Sequence, residues 1–301
     1  MKRKAGAELN ALLQLLDDPD EEVYQQVHDR LIAYGPAIIP TLEKAWENST
    51  AEYSAQRIVT LIQRLHRNRI VSDLKKWGST ANGDLLEAAL ILSRYRFMNQ
   101  NERRLKTKIG ELADQVSMEF SYHMPPLEQI SIYNHVLFDL NQFRTVPLRP
   151  ENEQYGYLKE ALESRKATPM LMGLLYLIIA RMLQLPVHGV LLPHHLVISF
   201  HKSFVRPEDS LPRLSSSLLF YINPAHKGNV FSKDAISIML RKLELDPKPS
   251  HFLPASSCQI IQALLDQMIL GAERWDQEER LDDLKRMRAA LAADHQLEWD
   301  D

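Results

Sequence analysis

Three short stretches of this sequence carry residue types that do acyl-transfer chemistry, at positions where such chemistry is usually staged. "TPMLMGLLY" (Thr168–Tyr176) opens the most apolar helix in the chain, "PHHLVISF" leads a strand with His195, and "FYINPAHKG" ends a strand on Asn223. A Cys-His-Asn site needs a thiol at a helix N-terminus, where the dipole and free N–H groups favour the thiolate. A histidine on a neighbouring strand takes the proton, and an amide or carboxylate on the next strand orients the ring. His195 and Asn223 fill the second and third roles. The first turn of the helix offers Pro169, Met170, Leu171 and Met172, none of which attacks a carbonyl. The one cysteine, Cys258, lies instead in "PASSCQIIQALL", in the expected first turn of a helix capped by Ser256 or Ser257, a setting that lowers a thiol pKa. Either the nucleophile is lost, or Cys258 reaches His195 from an unexpected direction.

Around these residues the chain divides by character. Its first ~150 residues read as helices: Leu9, Leu12, Leu13 and Leu16 share one face, Val23, Val27 and Leu31 the next, and Ile38, Ile39, Leu42 and Trp46 a third. "DDPD" breaks the first helix, with Pro19 where helix entry tolerates it, and "YGPAI" ends the second through Gly35 and Pro36. Further helices are expected over 52–77, 83–97 and 102–122. "YHMPPLEQI" marks a boundary near Pro125 and Pro126. Beyond it, helices at 127–140, 155–164 and 169–184 precede three β-branched strands, "LPVHGVLL", "HLVISFH" and "LLFYIN". A helix from "FSKDAISIMLRKLEL" and two more, near 256–271 and 275–293, close the chain. The expected fold is α+β and predominantly helical, with an all-α region at 1–124, a core with a small antiparallel sheet at 125–250, and a helical pair packed on it at 251–301.

Two family resemblances arise from these motifs. "LLQLLDDPDEEVYQQVHDRLIAYG" resembles a HEAT-type repeat unit. "YNHVLFDLNQFR", "YGYLKEALESRKATPMLMGLLYLIIARMLQLPVHGVLLPHHLVISF" and "YINPAHKGNVFS" resemble the SirB-type transglutaminase-like family over about 132–245. Asn134, Tyr157, Leu158, Arg165, Pro169, Gly189, Pro193 and His195 match its motif positions. Four residues depart from it: Ala167 for a glycine, Leu171 near the nucleophile position, His194 for the glycine before the histidine, and Asn223 for an aspartate. The resemblance implies a transglutaminase-like fold with a degenerate active site, a vestigial constellation of His195, Asn223, Leu171 and Met172, and a cleft bordered by Asn134, Tyr157, Arg165, Pro193 and His194. It permits a regulatory role in a bacterial protein.

The readings that compete are therefore an interaction or regulatory scaffold without a nucleophile, a divergent cysteine acyltransferase or amidohydrolase using Cys258, His195 and Asn223, and peptide binding in the old cleft. Other classes fit less well. A net charge of -3 in 301 residues gives no reason to expect a nucleic-acid partner. One cysteine excludes an internal disulfide or a Cys-based zinc site, and His195 and His201, on one strand face but ~20 Å apart by strand rise, do not share a metal. No cofactor is expected. The run Met170–Ala180, followed by Arg181, falls short of the ~20 residues of a membrane span, and the basic start "MKRKAGAELNALLQLLDDPD" makes a poor signal peptide. The expected setting is cytoplasmic, the expected partner a protein or peptide, and the oligomeric state is left open. For single residues the plain expectations are an Arg165 ion pair with Glu160 or Glu163, Thr168 as a helix cap, and Trp46, Tyr53 and Trp77 as core aromatics.

Overall fold

The computed structural model describes residues 2–16, 18, 20–48, 52–80, 83–121, 123–193, 195–242 and 244–291. The chain forms two compact units, Met1–Lys75 and Lys76–Asp301. The division thus falls some fifty residues ahead of the expected boundary near 124, because the helices in between pack with the sheet-bearing unit.

The first unit is helical: α1 (Lys2–Leu15), α2 (Glu21–Ala33), α3 (Ile39–Glu47) and the start of α4 (Glu52–Gly78). Asp20 caps α2 by accepting from the Glu22 N–H. Gly35, at φ 73°, supplies the left-handed turn that ends α2, and Pro36 opens a short 3-10 turn before α3. Pro19 lies outside the described residues. The apolar stripes meet in a core of Leu12, Leu16, Val27, Leu31, Leu42, Leu61 and Leu65, with Leu9 and Leu13 partly buried against it. Buried Arg57 on α4 donates to the carbonyls of Leu16 and Asp18, 2.8 Å each, at the C-terminal end of α1, where a helix leaves carbonyls unpaired. Trp46 is exposed rather than core, and the Tyr53 side chain lies outside the described residues.

The second unit opens with α5 (Leu85–Ser93), α6 (Glu102–Glu119) and α7 (Pro126–Asn134). The last runs into a π-helical segment, His135–Leu140. β1 (Arg144–Thr145) pairs in parallel with β2 (Lys166–Ala167), across α8 (Leu158–Ser164). α9 (Pro169–Met182) comes next. β3 (Val187–Leu192), β4 (His195–His201), α10 (Leu211–Ser217), β5 (Leu218–Asn223) and β6 (Asn229–Phe231) then build an antiparallel sheet of order β3-β4-β5-β6. α11 (Lys233–Lys242), α12 (Ser257–Arg274) and α13 (Glu278–Ala290) complete the unit. The chain is therefore predominantly helical with a small antiparallel sheet.

α9 is the central helix. Every residue from Met170 to Ala180 is buried, as its unbroken apolarity requires. It lies against one sheet face through its glycine: a Cβ on Gly173 would stand 2.7 Å from the Leu196 carbonyl oxygen. The opposite face, with Val190, Leu192, Val197 and Tyr221, packs on Ile236 and Leu240 of α11. Trp77 is core, its indole N–H donating to the Asp84 carbonyl at 2.8 Å. Among the described residues no helix is long and apolar enough to cross a membrane.

Candidate functional site

The residues picked out by chemistry converge on one end of the sheet. In the antiparallel register Leu192 pairs with His195 and Ile198 with Ile222, so the start of β4 and the end of β5 lie together. Gly173 of α9 sits over Leu196, which brings the first turn of α9 to the same end. The backbone thus assembles the helix start, the histidine position and the asparagine position that a Cys-His-Asn layout demands.

The side chains do not complete it. Leu196 points at α9, so strand alternation turns His195 and Val197 to the other face, and Val197 is in the α11 core. His195 Nδ1 is 2.9 Å from the Pro193 carbonyl, to which it donates. Asn223 closes the turn after β5: its Oδ1 accepts from the Ala225 N–H at 3.1 Å, and its Nδ2 lies 3.0 Å from His226 Nδ1. Its amide is thereby committed to that turn rather than to His195. On α9, Leu171 and Met172 are buried to 1% and 0% exposure, so the first turn of the helix carries hydrocarbon and thioether. Thr168 occupies the cap position with its hydroxyl unused for capping, while its N–H bonds the Tyr155 carbonyl at 3.0 Å. The cap expected of its side chain is absent because the residue is held in the β2–α9 connection by its backbone.

Cys258 lies on a different element. Ser256 caps α12 through a capping box with Gln259. The thiol donates to the Leu291 carbonyl at 3.7 Å, just past α13, and burial raises its pKa, with Arg288 opposing weakly. The thiolate that a helix start was expected to favour is thus disfavoured by burial. Ile260, two residues on, packs under Gly189 on the α9 side of the sheet, whereas His195 turns to the α11 side.

The cleft residues divide by role. Asn134 accepts from the Tyr176 hydroxyl at 2.9 Å and donates to the Gly228 carbonyl at 2.8 Å, tying α7 to α9 and to the β5–β6 turn. Gly228, at φ 68°, lies so close to that amide that no side chain fits there. The π-helical segment starts at the next residue, His135. With Ser131, Phe138 and Lys227, Asn134, His135 and Asp139 line a cavity of about 400 Å³. Tyr157 is buried, and burial raises the pKa of its hydroxyl. Arg165 ends α8 in a left-handed conformation, its guanidinium 4.8 Å above the Phe143 ring. The expected pairing of Arg165 with Glu160 or Glu163 does not form, since Glu163 is taken by Lys159 at 2.9 Å and the left-handed cap turns Arg165 onto Phe143. Pro193 supplies the carbonyl held by His195, and His194 lies outside the described residues.

Sequence reasoning missed a buried histidine pair. The His188 and His201 rings meet edge to face with centroids 5.5 Å apart. They sit across β3 and β4 on one face, a pairing that only the register reveals. Among the described residues no group of three or more His, Cys, Asp or Glu is placed to hold a metal ion.

In comparisons with known proteins, no curated protein and no solved structure matches the chain. A family model does: the transglutaminase-like superfamily, over residues 103–266, more than half of the chain and the whole of the α9–sheet arrangement.

Proposed function

The chain belongs to the transglutaminase-like superfamily, and from that premise we propose that it is a catalytically degenerate member acting as a protein-interaction or regulatory scaffold. The observation that carries this reading is the first turn of α9. The residue that the family resemblance sets near the nucleophile position is Leu171, which is buried and flanked by Met170 and Met172 at 2% exposure or less. Three further features support it. His195 Nδ1 donates to the Pro193 carbonyl, Asn223 is bound to its own turn, and Cys258 is a partly buried thiol hydrogen-bonded to a backbone carbonyl, so none of these contacts links one of the three to another. The reading extends to a SirB-type subgroup in a bacterial cytoplasm, with a HEAT-like N-terminal unit offering a helical surface to a protein or peptide.

The test is catalytic. The full chain is assayed for hydrolysis of a p-nitrophenyl ester and for amine incorporation into a glutamine-containing peptide. Both rates are expected at the buffer blank, with His195→Ala and Cys258→Ala indistinguishable from the wild type. Turnover that either substitution lowers would make the chain an enzyme and end the scaffold reading.

A further inference from the structure

Helix α6 carries its charge in two blocks. Arg103, Arg104, Lys106 and Lys108 lie in its first half, Glu111, Asp114 and Glu119 in its second, and among the described residues none of them forms an ion pair. The order runs against the helix dipole. The cations begin at the end where unpaired N–H groups already place positive charge, and no base stands in the last turn, where the carbonyls would favour one. The blocks therefore do not serve the helix itself. Neighbouring elements do not cancel them. Glu102 is taken by Arg94 at 3.2 Å, and on α8 Glu163 is taken by Lys159 at 2.9 Å. Beside the second half, Arg165 is within electrostatic reach of Glu111, with its guanidinium over Phe143, and Asp139 is paired with His135. With these counted, and Glu160 of α8 besides, the first half keeps a net positive charge and the second a net negative one.

The geometry of the outer face is as regular as its charge. Leu105, Ile109, Leu112 and Val116 turn to the core. Arg103, Thr107, Gly110, Asp114 and Met118 recur at helical spacing on the opposite side, flanked by Arg104, Lys106 and Glu111. Gly110 sits in mid-helix with nothing within 4 Å of where a Cβ would stand. Glycine is a poor helix former, and no neighbour within the chain requires one here. Met118 is exposed to 83%, and Met98, in the turn before α6, to 40%.

We propose that α6 is the interface of a homodimer, packed antiparallel on its own copy across a two-fold axis. With the axis level with the Lys108–Ile109 peptide, Arg103 lies opposite Asp114 of the second copy, and Thr107 opposite its Gly110. Arg104 stands on the same side of the seam as the second copy's Glu111, about 3 Å from level with it. Met118 comes level with the turn that exposes the second copy's Met98. Each basic block thus covers the other copy's acidic block, and the missing side chain at Gly110 lets the helices approach beside the axis. A wholly acidic or wholly basic partner would satisfy one half of the helix and repel the other. The seam is about 20 Å long, at the small end of specific interfaces, so the dimer is weak and salt-sensitive. It stands whether or not the family's catalytic site is degenerate.

The experiment is sedimentation equilibrium of the full chain, from about 5 to about 300 µM, in roughly 50 and roughly 500 mM NaCl. At low salt a dimer with Kd on the order of 50 µM is expected, at least about fivefold weaker at high salt. Arg103→Glu and Asp114→Arg should each be monomeric throughout. An equimolar mixture of the two should dimerise, because each reversed charge then meets its opposite across the axis. Gly110→Gln is the variant least able to disturb the fold, since its site is open. It should melt no lower than the wild type and weaken the dimer at least about tenfold. The assignment falls if the wild type is monomeric at about 300 µM, or if its dimer ignores salt. It falls equally if the charge variants dimerise alone or fail to pair when mixed. Should either of them misfold, a folded Gly110→Gln that dimerises like the wild type overturns it.

Discussion

At the scale of single residues, what decides function is which polar groups are already engaged. His195 and Asn223 were legible from sequence as a strand start and a strand end, and the register does bring their backbones together. Their side chains were not legible, because which face a strand residue takes depends on pairing and on what covers each face. The histidine pair that sequence passed over has a measurable consequence. His201 lies 2.9 Å from Ser217 Oγ and 3.0 Å from Ser199 Oγ, and burial holds its pKa down to about 4. His188 is held down to about 4 by burial first and by the neighbouring ring second. In the unfolded chain both titrate near 6.5. Between pH 6.5 and 4 the unfolded state therefore binds more protons. The stability this neutral pair retains is complete above the unfolded value and is lost as pH falls toward 4. The expected loss is on the order of a few kcal/mol, read from urea midpoints across that range. His201→Gln keeps polar contacts without a titrating ring and should flatten the profile. A wild-type midpoint no more acid-sensitive than the variant's would refute the assignment.

At the scale of elements, the strongest signals in the sequence were those with a clear period or none needed. α9 could be recognised because a helix buried on all sides must be apolar on all sides, and the three long strands because β-branched runs between turn residues read alike in sequence and structure. β1 and β2 have two residues each, too few for any alternation to register. The π-helical turn of His135–Leu140 leaves no pattern distinct from an α-helix. The contact that fixes α9 on the sheet is Gly173 under Leu196. Alanine is ordinarily the better helix former by about 1 kcal/mol, so an exposed glycine replaced by alanine would stabilise. Here the added methyl would meet a backbone carbonyl at 2.7 Å and the Leu196 Cβ at 2.9 Å, neither of which moves without shifting β4. Gly173→Ala should therefore destabilise the sheet-bearing unit by about 1–3 kcal/mol. Chemical denaturation followed by near-ultraviolet circular dichroism gives the value. A more stable variant would mean that helix and strand are not in close contact.

At the scale of the whole molecule, the sheet-bearing unit is closed by residues far apart in sequence, which is why its extent could not be read from local composition. The change of character near Pro125 is real in sequence, yet α5 and α6 belong with the sheet, because their partners lie later in the chain. Glu153 is the clearest case. Its carboxylate is about 10% exposed and receives Arg280 of the last helix at 2.6 Å, Arg96 from the turn after α5 at 3.2 Å and the Gln277 amide at 3.2 Å. Tyr95 reaches Asp283 on the same last helix at 3.1 Å. Removing one member of a pair this buried leaves the other charge uncompensated, which costs more than the pair itself contributes. Glu153→Gln is expected to destabilise the unit by about 3 kcal/mol. Arg280→Gln should cost less, since Arg96 still answers the carboxylate. The double variant should lie closer to Glu153→Gln than the sum of the two, with a coupling of about 1–2 kcal/mol in a double-mutant cycle. If the two effects add, the ion pair is a surface contact in energetic terms. The C-terminal helices would then be held to this unit mainly by apolar burial, of Ile260, Ile261, Leu264 and Leu265 on α12 and of Leu284 and Met287 on α13.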